Sequence, residues 1–232
     1  MTTPTLTYFK GWGLAEQSRW LLAYGAEVSV GVTHTGPTFR NAALSSFSEF
    51  DKLRNDGSLP FGQLPLLEID GLKISQSQAM IRYIAKRSGL AGGTLAEQVR
   101  CDMIAEAVKD ARLGVVKWPF SPDKDAHLND FVAPLIAKWY PKFDAMIADD
   151  KELTYAHILI AEMVSSYDLM FESKGVPPPS ADYENLKDLT AKVVGLPQMK
   201  EYLESDKRFP FPAEGEICNS YVENVEVVLG RR

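Results

Sequence analysis

Cysteine and histidine, the residues that most often carry reactive or metal-binding chemistry, are scarce in this chain. Its two cysteines, Cys101 and Cys218, lack CxxC spacing, which argues against a disulfide scaffold or a dithiol redox pair. The three histidines, His34, His127 and His157, lie far apart with no HExxH-like spacing. A zinc site or a histidine-based triad would have to be assembled from scattered residues, and no metal is expected. Positive charge is also short: Lys plus Arg total 25 against 31 for Asp plus Glu, a net charge of −6, with no compact basic block. Such a chain lacks the field that holds nucleic acid. No run reaches the roughly 18 apolar residues of a membrane span. The most apolar stretch, residues 154–164, is interrupted by His157 and Glu162. The start of the chain has no basic segment leading into an apolar one, so no secretory signal is expected. These absences predict a reduced, cytoplasmic, soluble protein with neither nucleic acid nor membrane as partner.

What is present is an ordinary globular composition. The 232 residues are 45% hydrophobic and 24% charged, enough to bury a core without staples. At roughly 150 residues per domain, that length suits one large domain or two small ones. The first ninety residues alternate strand and helix signals. Residues 5–9 are β-prone until Gly11 and Gly13 break them, and residues 14–24 then read as a helix closed by Gly25. Residues 27–33 alternate around Val28, Val30 and Val32 as a second strand, and a long polar stretch covers 35–58. Residues 65–69 and 72–74 read as two strands joined by the hairpin signal Asp70-Gly71. Ser77 is expected to cap a helix running to Arg87, with Met80, Ile81, Ile84 and Ala85 on its apolar side and Gly89 at its end.

The order βαβ, loop, ββα describes a small mixed α/β domain over 1–89. From 90 to 232 the pattern is helical: 97–118, 126–149 with a kink at Pro134, 154–173, 183–194 and 198–203. The tail from Arg208 carries Pro210 and Pro212 and shows no helical period before 222–229.

One block is more specific. Pro60-Phe61-Gly62-Gln63-Leu64-Pro65-Leu66-Leu67-Glu68-Ile69-Asp70-Gly71, followed by Ser75-Gln76-Ser77-Gln78-Ala79-Met80-Ile81, resembles the cytosolic glutathione transferases. The resemblance spans about residues 5–209. It includes Tyr8, Gly13-Leu14-Ala15-Glu16, Arg100-Cys101-Asp102 and the segment Leu196-Pro197-Gln198-Met199-Lys200-Glu201-Tyr202-Leu203. The tyrosine-type classes (Mu, Pi, Sigma) match best. The resemblance implies an α/β thioredoxin-like N-terminal domain followed by an all-α domain. It further implies a homodimer, glutathione as co-substrate and no metal.

In that family the proline of the Gln63-Leu64-Pro65 block is cis and exposes the backbone of the preceding residue, here Leu64. An extended peptide such as glutathione can pair with such an edge. Without the motif, Pro65 would read as a trans proline opening an edge strand. Gln76 and Ser77 open a helix whose unpaired N–H groups and positive end favour an anion, by resemblance the γ-glutamyl α-carboxylate. Ser77 alone would be read as a cap. Asp102 resembles the family's residue that reaches across the dimer to the ligand's amino group; alone it reads as a solvated helix position.

Tyr8 is the expected catalytic residue and, with Phe9 and Leu14, part of the glutathione site. A free thiol titrates near 8.5, so only a few per cent is thiolate at pH 7. Lowering that value by about two units takes roughly 2.7 kcal/mol. One charge-assisted hydrogen bond from the tyrosine hydroxyl supplies about 1.5–3 kcal/mol, so the helix end near Gly13 needs to add little. Apart from the resemblance, Tyr8 reads as a core aromatic at a strand end.

Several positions depart from the family pattern. Where it places Trp and Lys against the glycyl carboxylate, counting back from Gln63 gives Phe50 and Arg54, with Lys52 as competitor because the loop is long. Phe50 has no indole N–H, while Arg54 can pair a carboxylate bidentately. The Ser/Thr-x-x-Asp capping box appears as Thr154-Tyr155-Ala156-His157. His157 cannot return the carboxylate bond, so the expectation is lost local stability or another partner for its ring. By resemblance the electrophile site lies among Phe9, Gly13, Leu14, Met103, Glu106 and Ala107, residues that equally suit a domain-interface core.

The expected function is conjugation of glutathione to small hydrophobic electrophiles. The alternatives are a glutathione-dependent isomerase or peroxidase (Sigma-like) and a non-catalytic structural homologue that binds glutathione.

Overall fold

The computed structural model describes residues 3–25, 39–211 and 216–231. Strand β1 (Thr5–Phe9) leads into α1 (Glu16–Tyr24), and β2 (Arg40–Leu44) into α2 (Phe47–Asn55). Then come β3 (Leu66–Ile69), β4 (Leu72–Ser75) and α3 (Ser77–Arg87). The four strands form one sheet in the order β2-β1-β3-β4, with β1 parallel to β2 and antiparallel to β3. Leu6 and Leu67, both fully buried, stand opposite each other in the register of β1 and β3. The β3–β4 turn is made by Asp70 and Gly71 at φ 51° and 78°, the left-handed pair that an Asp-Gly hairpin requires.

The strand expected over 27–33 lies outside the described residues. Part of the stretch expected to be polar loop, 35–58, is instead β2 and α2. Among the described residues β2 pairs with β1 alone, and it reads Arg-Asn-Ala-Ala-Leu, too polar to be read as a strand by alternation. α2 is started by a capping box, with the Ser46 side chain accepting from the Glu49 N–H and the Glu49 carboxylate reaching back to Ser46. Ser77 does not cap α3; it is the first helical residue, and the preceding Gln76 has φ 70° and no side-chain cap bond.

Only helices follow Arg87 among the described residues. The expected helix over 97–118 is divided into α4 (Leu95–Ala111) and α5 (Leu113–Lys117), with a 3₁₀ turn at Trp118–Phe120. A short turn, α6 (Lys124–Ala126), and a π-helical segment (His127–Val132) precede α7 (Ala133–Ile147). Pro134 falls in the first turn of α7, where no N–H is needed, and Pro141 lies inside it. α8 (Tyr155–Glu172) is buried around almost its whole circumference; α9 (Glu184–Val194) packs beside it, and α10 (Pro197–Glu204) packs against α1 and α9. The tail forms a longer helix than expected, α11 (Glu216–Val228).

At the start of α8 the imidazole does what the missing aspartate would do. The Thr154 N–H donates to Nδ1 of His157 at 3.0 Å. Nε2 must then carry the ring proton, and it donates to Asp150 at 2.9 Å. The expectation that His157 could not complete the box is thereby corrected: neutral imidazole has one acceptor nitrogen, and one suffices. No described helix is long and apolar enough to cross a membrane.

Candidate functional site

The end of β1 brings Tyr8 to the sheet's C-terminal edge, 5% exposed, beside the Gly11–Leu14 loop. The Leu14 N–H donates to the Tyr8 hydroxyl at 3.4 Å, and the hydroxyl of Tyr221, from α11, lies 3.2 Å from it. Gly13 makes this approach possible. Its φ is 39°, and a Cβ there would stand 2.3 Å from the Tyr221 hydroxyl and 2.5 Å from that of Tyr8.

Two buried arginines hold the same loop from below. Arg19 donates to the Gly11 carbonyl at 2.8 Å and pairs with Glu16 at 3.0 Å. Arg112 donates to the Gly13 carbonyl at 2.8 Å and grips Glu162 with two bonds of 2.6 Å. Burial works against the Arg112 charge, but Glu162 beside it outweighs that and raises its pKa. The Glu16 carboxylate also receives Trp20 Nε1 at 3.2 Å and the Tyr202 hydroxyl at 2.9 Å, so the loop is tied to α10 as well.

Tyr8 faces a cavity of about 240 Å³. One wall is Phe9, Leu14 and Phe50; another is Gln63, Leu64, Pro65, Gln76 and Ser77. The Leu64–Pro65 bond is cis, and Gln76 Nε2 donates to Gln63 Oε1 at 3.1 Å. Ser77 is the first residue of α3, and the Ala79 and Met80 N–H groups donate to the Gln76 carbonyl at 2.9 and 3.1 Å, so the N–H groups of Ser77 and Gln78 are the ones that a helix start leaves without a partner in its own helix. The remaining wall is Val225, Val228 and Leu229 of the tail.

The other expected site residues lie elsewhere. Arg54 stacks on the rings of Phe50 (5.5 Å) and Phe47 (5.9 Å) and pairs with Asp51, one side chain removed from the cavity. Lys52 is exposed on α2 and does not line it. Asp102, Met103, Glu106 and Ala107 are not part of the cavity wall. The buried face of α4 is Cys101, Ile104, Ala105 and Val108, which turns Met103 outward at 62% exposure. Ala107 is half-buried against the core. Asp102 accepts from Arg82 at 3.0 Å and from the Tyr155 hydroxyl. Burial pushes its carboxyl up, yet these two bonds prevail and hold it below the usual value. Glu106 takes the other end of Arg82 at 2.6 Å, and that bond lowers its pKa.

Sequence reasoning missed Tyr221, Val225 and Val228, whose spacing of four and three was the available signal. It also missed Arg19 and Arg112, for which periodicity offers no signal, because a charge on a helix is ordinarily solvated.

Two family models match the chain: "Glutathione S-transferase, N-terminal domain" over residues 4–86 and "Glutathione S-transferase, C-terminal domain" over 109–206. The chain is 31% identical to glutathione S-transferase alpha-4 of Rattus norvegicus over 97% of both chains. The alpha class named there is not among the Mu, Pi and Sigma patterns that the motifs resemble. The fold is similar to that of a glutathione S-transferase from Ascaris lumbricoides, with TM-score 0.69 and 27% identity over 87% of this chain and 96% of that one. It is also similar to a monomeric glutathione S-transferase from the hookworm Necator americanus, with TM-score 0.71 and 28% identity over 88% and 98%.

Proposed function

The chain belongs to the glutathione S-transferase family, and from that premise we propose that it conjugates the thiolate of glutathione to small hydrophobic electrophiles, with Tyr8 as the catalytic hydroxyl. The observation that carries this reading is the Tyr8 hydroxyl at the cavity wall, with the Leu14 N–H donating into its oxygen. A Tyr8 O–H that accepts from Leu14 is free to donate to a sulfur placed in the cavity. That bond favours thiolate over thiol. The thiolate then forms a bond to the electrophilic carbon, and the displaced electron pair leaves with the departing group or is protonated from solvent.

The tripeptide is assigned to the Gln63–Pro65 and Gln76–Ser77 wall. Its γ-glutamyl carboxylate meets the first turn of α3, and its middle residue pairs with the Leu64 backbone. Arg54 is assigned to the glycyl carboxylate because its guanidinium stacks on Phe50 of the cavity wall, whereas Lys52 is exposed and does not line the cavity. Phe9, Leu14, Val225, Val228 and Leu229 supply the apolar side for the electrophile. No metal enters this scheme.

The proposed working form is a cytoplasmic homodimer, the chain dividing near residue 90 into its α/β and helical parts. Leu95, Val99 and Met103 form an exposed stripe at four-residue spacing along α4, 76%, 50% and 62% exposed, and Phe61 is 68% exposed. Such a stripe suits burial against a second copy, and Asp102 lies beside it. The isomerase or peroxidase reading and the non-catalytic reading are not favoured by any feature of the cavity. The deciding experiment is retention on immobilised glutathione together with turnover of a generic aryl halide. Both are expected; retention without turnover identifies a binding protein, and failure of both leaves only the fold.

A further inference from the structure

Tyr221 belongs to the last helix of the chain, yet its ring is 3% exposed. A seat is built for it. A Cβ on Gly11 would come within 2.5 Å of its ring, and Phe120 packs on it with centroids 5.8 Å apart. A buried hydroxyl left without a partner costs about 1–3 kcal/mol. Among the described residues, the Tyr8 hydroxyl is the one hydrogen-bond partner of the Tyr221 hydroxyl.

The direction of that bond follows from the proton of Tyr8. In the reaction above, this proton points at sulfur, so the Tyr221 proton has one acceptor, the Tyr8 oxygen. We propose that Tyr221 is a positioning residue for thiolate formation: its hydroxyl donates to the Tyr8 oxygen, which, with the Leu14 N–H, occupies both lone pairs and leaves the Tyr8 proton directed to the sulfur. This inference rests on the transferase reading. A hydroxyl that accepts hydrogen bonds also donates more strongly, because each bond polarises the next. The charged groups acting on Tyr221 are Arg112, at the end of α4, and Arg19 of α1. Both stay protonated throughout an ordinary assay. Burial, with Tyr8 beside it, pushes the Tyr221 hydroxyl well above the ordinary tyrosine value, so it remains an O–H donor.

The test is Tyr221→Phe, which keeps the ring in its glycine seat, read by the pH profile of kcat/KM with an aryl halide and by thiolate absorbance of bound glutathione. Losing a 10–30% strengthening of a charge-assisted bond moves the acid limb up by about 0.2–0.6 pH units. Below the limb, kcat/KM falls about two- to fourfold, with the KM for glutathione little changed. Tyr221→Leu, which removes the ring too, moves the limb by the same amount. A limb that moves only in the Leu variant assigns the effect to packing and overturns the proposal. So does a limb that moves down in Tyr221→Phe, since the hydroxyl would then compete with the thiol. Tyr8→Phe is run in parallel. If it leaves the limb in place, the transferase assignment of Tyr8 fails; if it moves the limb and Tyr221→Phe does not, only the role of Tyr221 fails.

Discussion

The guanidinium of Arg112 joins the Gly13 carbonyl, 99 positions earlier in the chain, to the carboxylate of Glu162, 50 positions later, and none of the three groups is open to solvent. The loop that shapes the Tyr8 end of the cavity is therefore held by a charge from the helical part. Its position depends on a fully satisfied buried pair.

Removing one partner of such a pair strands the other. Glu162→Gln or Arg112→Met is expected to lower unfolding free energy by about 3–5 kcal/mol in urea titration. The double variant Arg112→Met with Glu162→Leu should recover part of that loss, since no charge is left buried. It should recover only part, because the Gly13 carbonyl and the Ser166 hydroxyl, which donates to Glu162 at 3.1 Å, lose their partners. Additive single losses would show that the pair does not act as a unit.

Tyr8→Phe removes the proposed donor to sulfur. The expected result is a loss of about ten- to a hundredfold in kcat/KM at neutral pH. The acid limb should move up by about one to two pH units, with glutathione affinity largely retained. An unchanged profile would sink the assignment.

Gly13→Ala places a methyl group where two hydroxyls already meet, at a φ that side chains rarely adopt. Stability should drop by more than about 1 kcal/mol. The near-ultraviolet circular dichroism of the tyrosines should change as Tyr221 is driven from Tyr8. Wild-type stability together with wild-type turnover would contradict the packing described.

His157 makes stability depend on pH. Burial lowers its pKa against the opposing pull of Asp150. Its folded value therefore lies below the unfolded reference of about 6.5. The contribution is complete above that reference and is lost as pH falls through the folded value, because the unfolded chain binds the proton more readily. Melting temperature measured from pH 8 to pH 5 should fall on the acid side in the wild type and fall less in His157→Gln.

The apolar stripe on α4 gives a test of assembly. Val99→Glu or Met103→Glu should convert a dimer to a monomer in light scattering or sedimentation. A wild-type protein that already sediments as a monomer, as the hookworm relative is described, would remove the basis for a dimer contact at Asp102.

Much of the cavity was legible because the wall proposed for glutathione is written in two short segments. Gln63-Leu64-Pro65 and Gln76-Ser77 flank a hairpin whose turn signal, Asp70-Gly71, fixes their separation within fifteen residues, so local chemistry alone brings them together. The electrophile side was not legible in the same way. Met103, Glu106 and Ala107 were named by the family resemblance, but which face of α4 turns inward is decided by its packing on α8. β2 was missed because an edge strand tolerates polar residues; in the tail the helical period was read over 222–229, and its first turns, from Glu216, were not.

Helix periods, turn pairs and caps are free energies of neighbouring residues. They determined the mixed α/β start and the helical remainder, whereas the residues at the strand and helix ends where a tripeptide would lie were named through the family resemblance. The contact of Tyr8 with Tyr221 spans 213 positions, and the arginines that hold the loop between them are charged groups on helices. No local preference records such contacts. They exist because the packed core places those side chains beside acceptors out of reach of water, and only the tertiary structure could decide them.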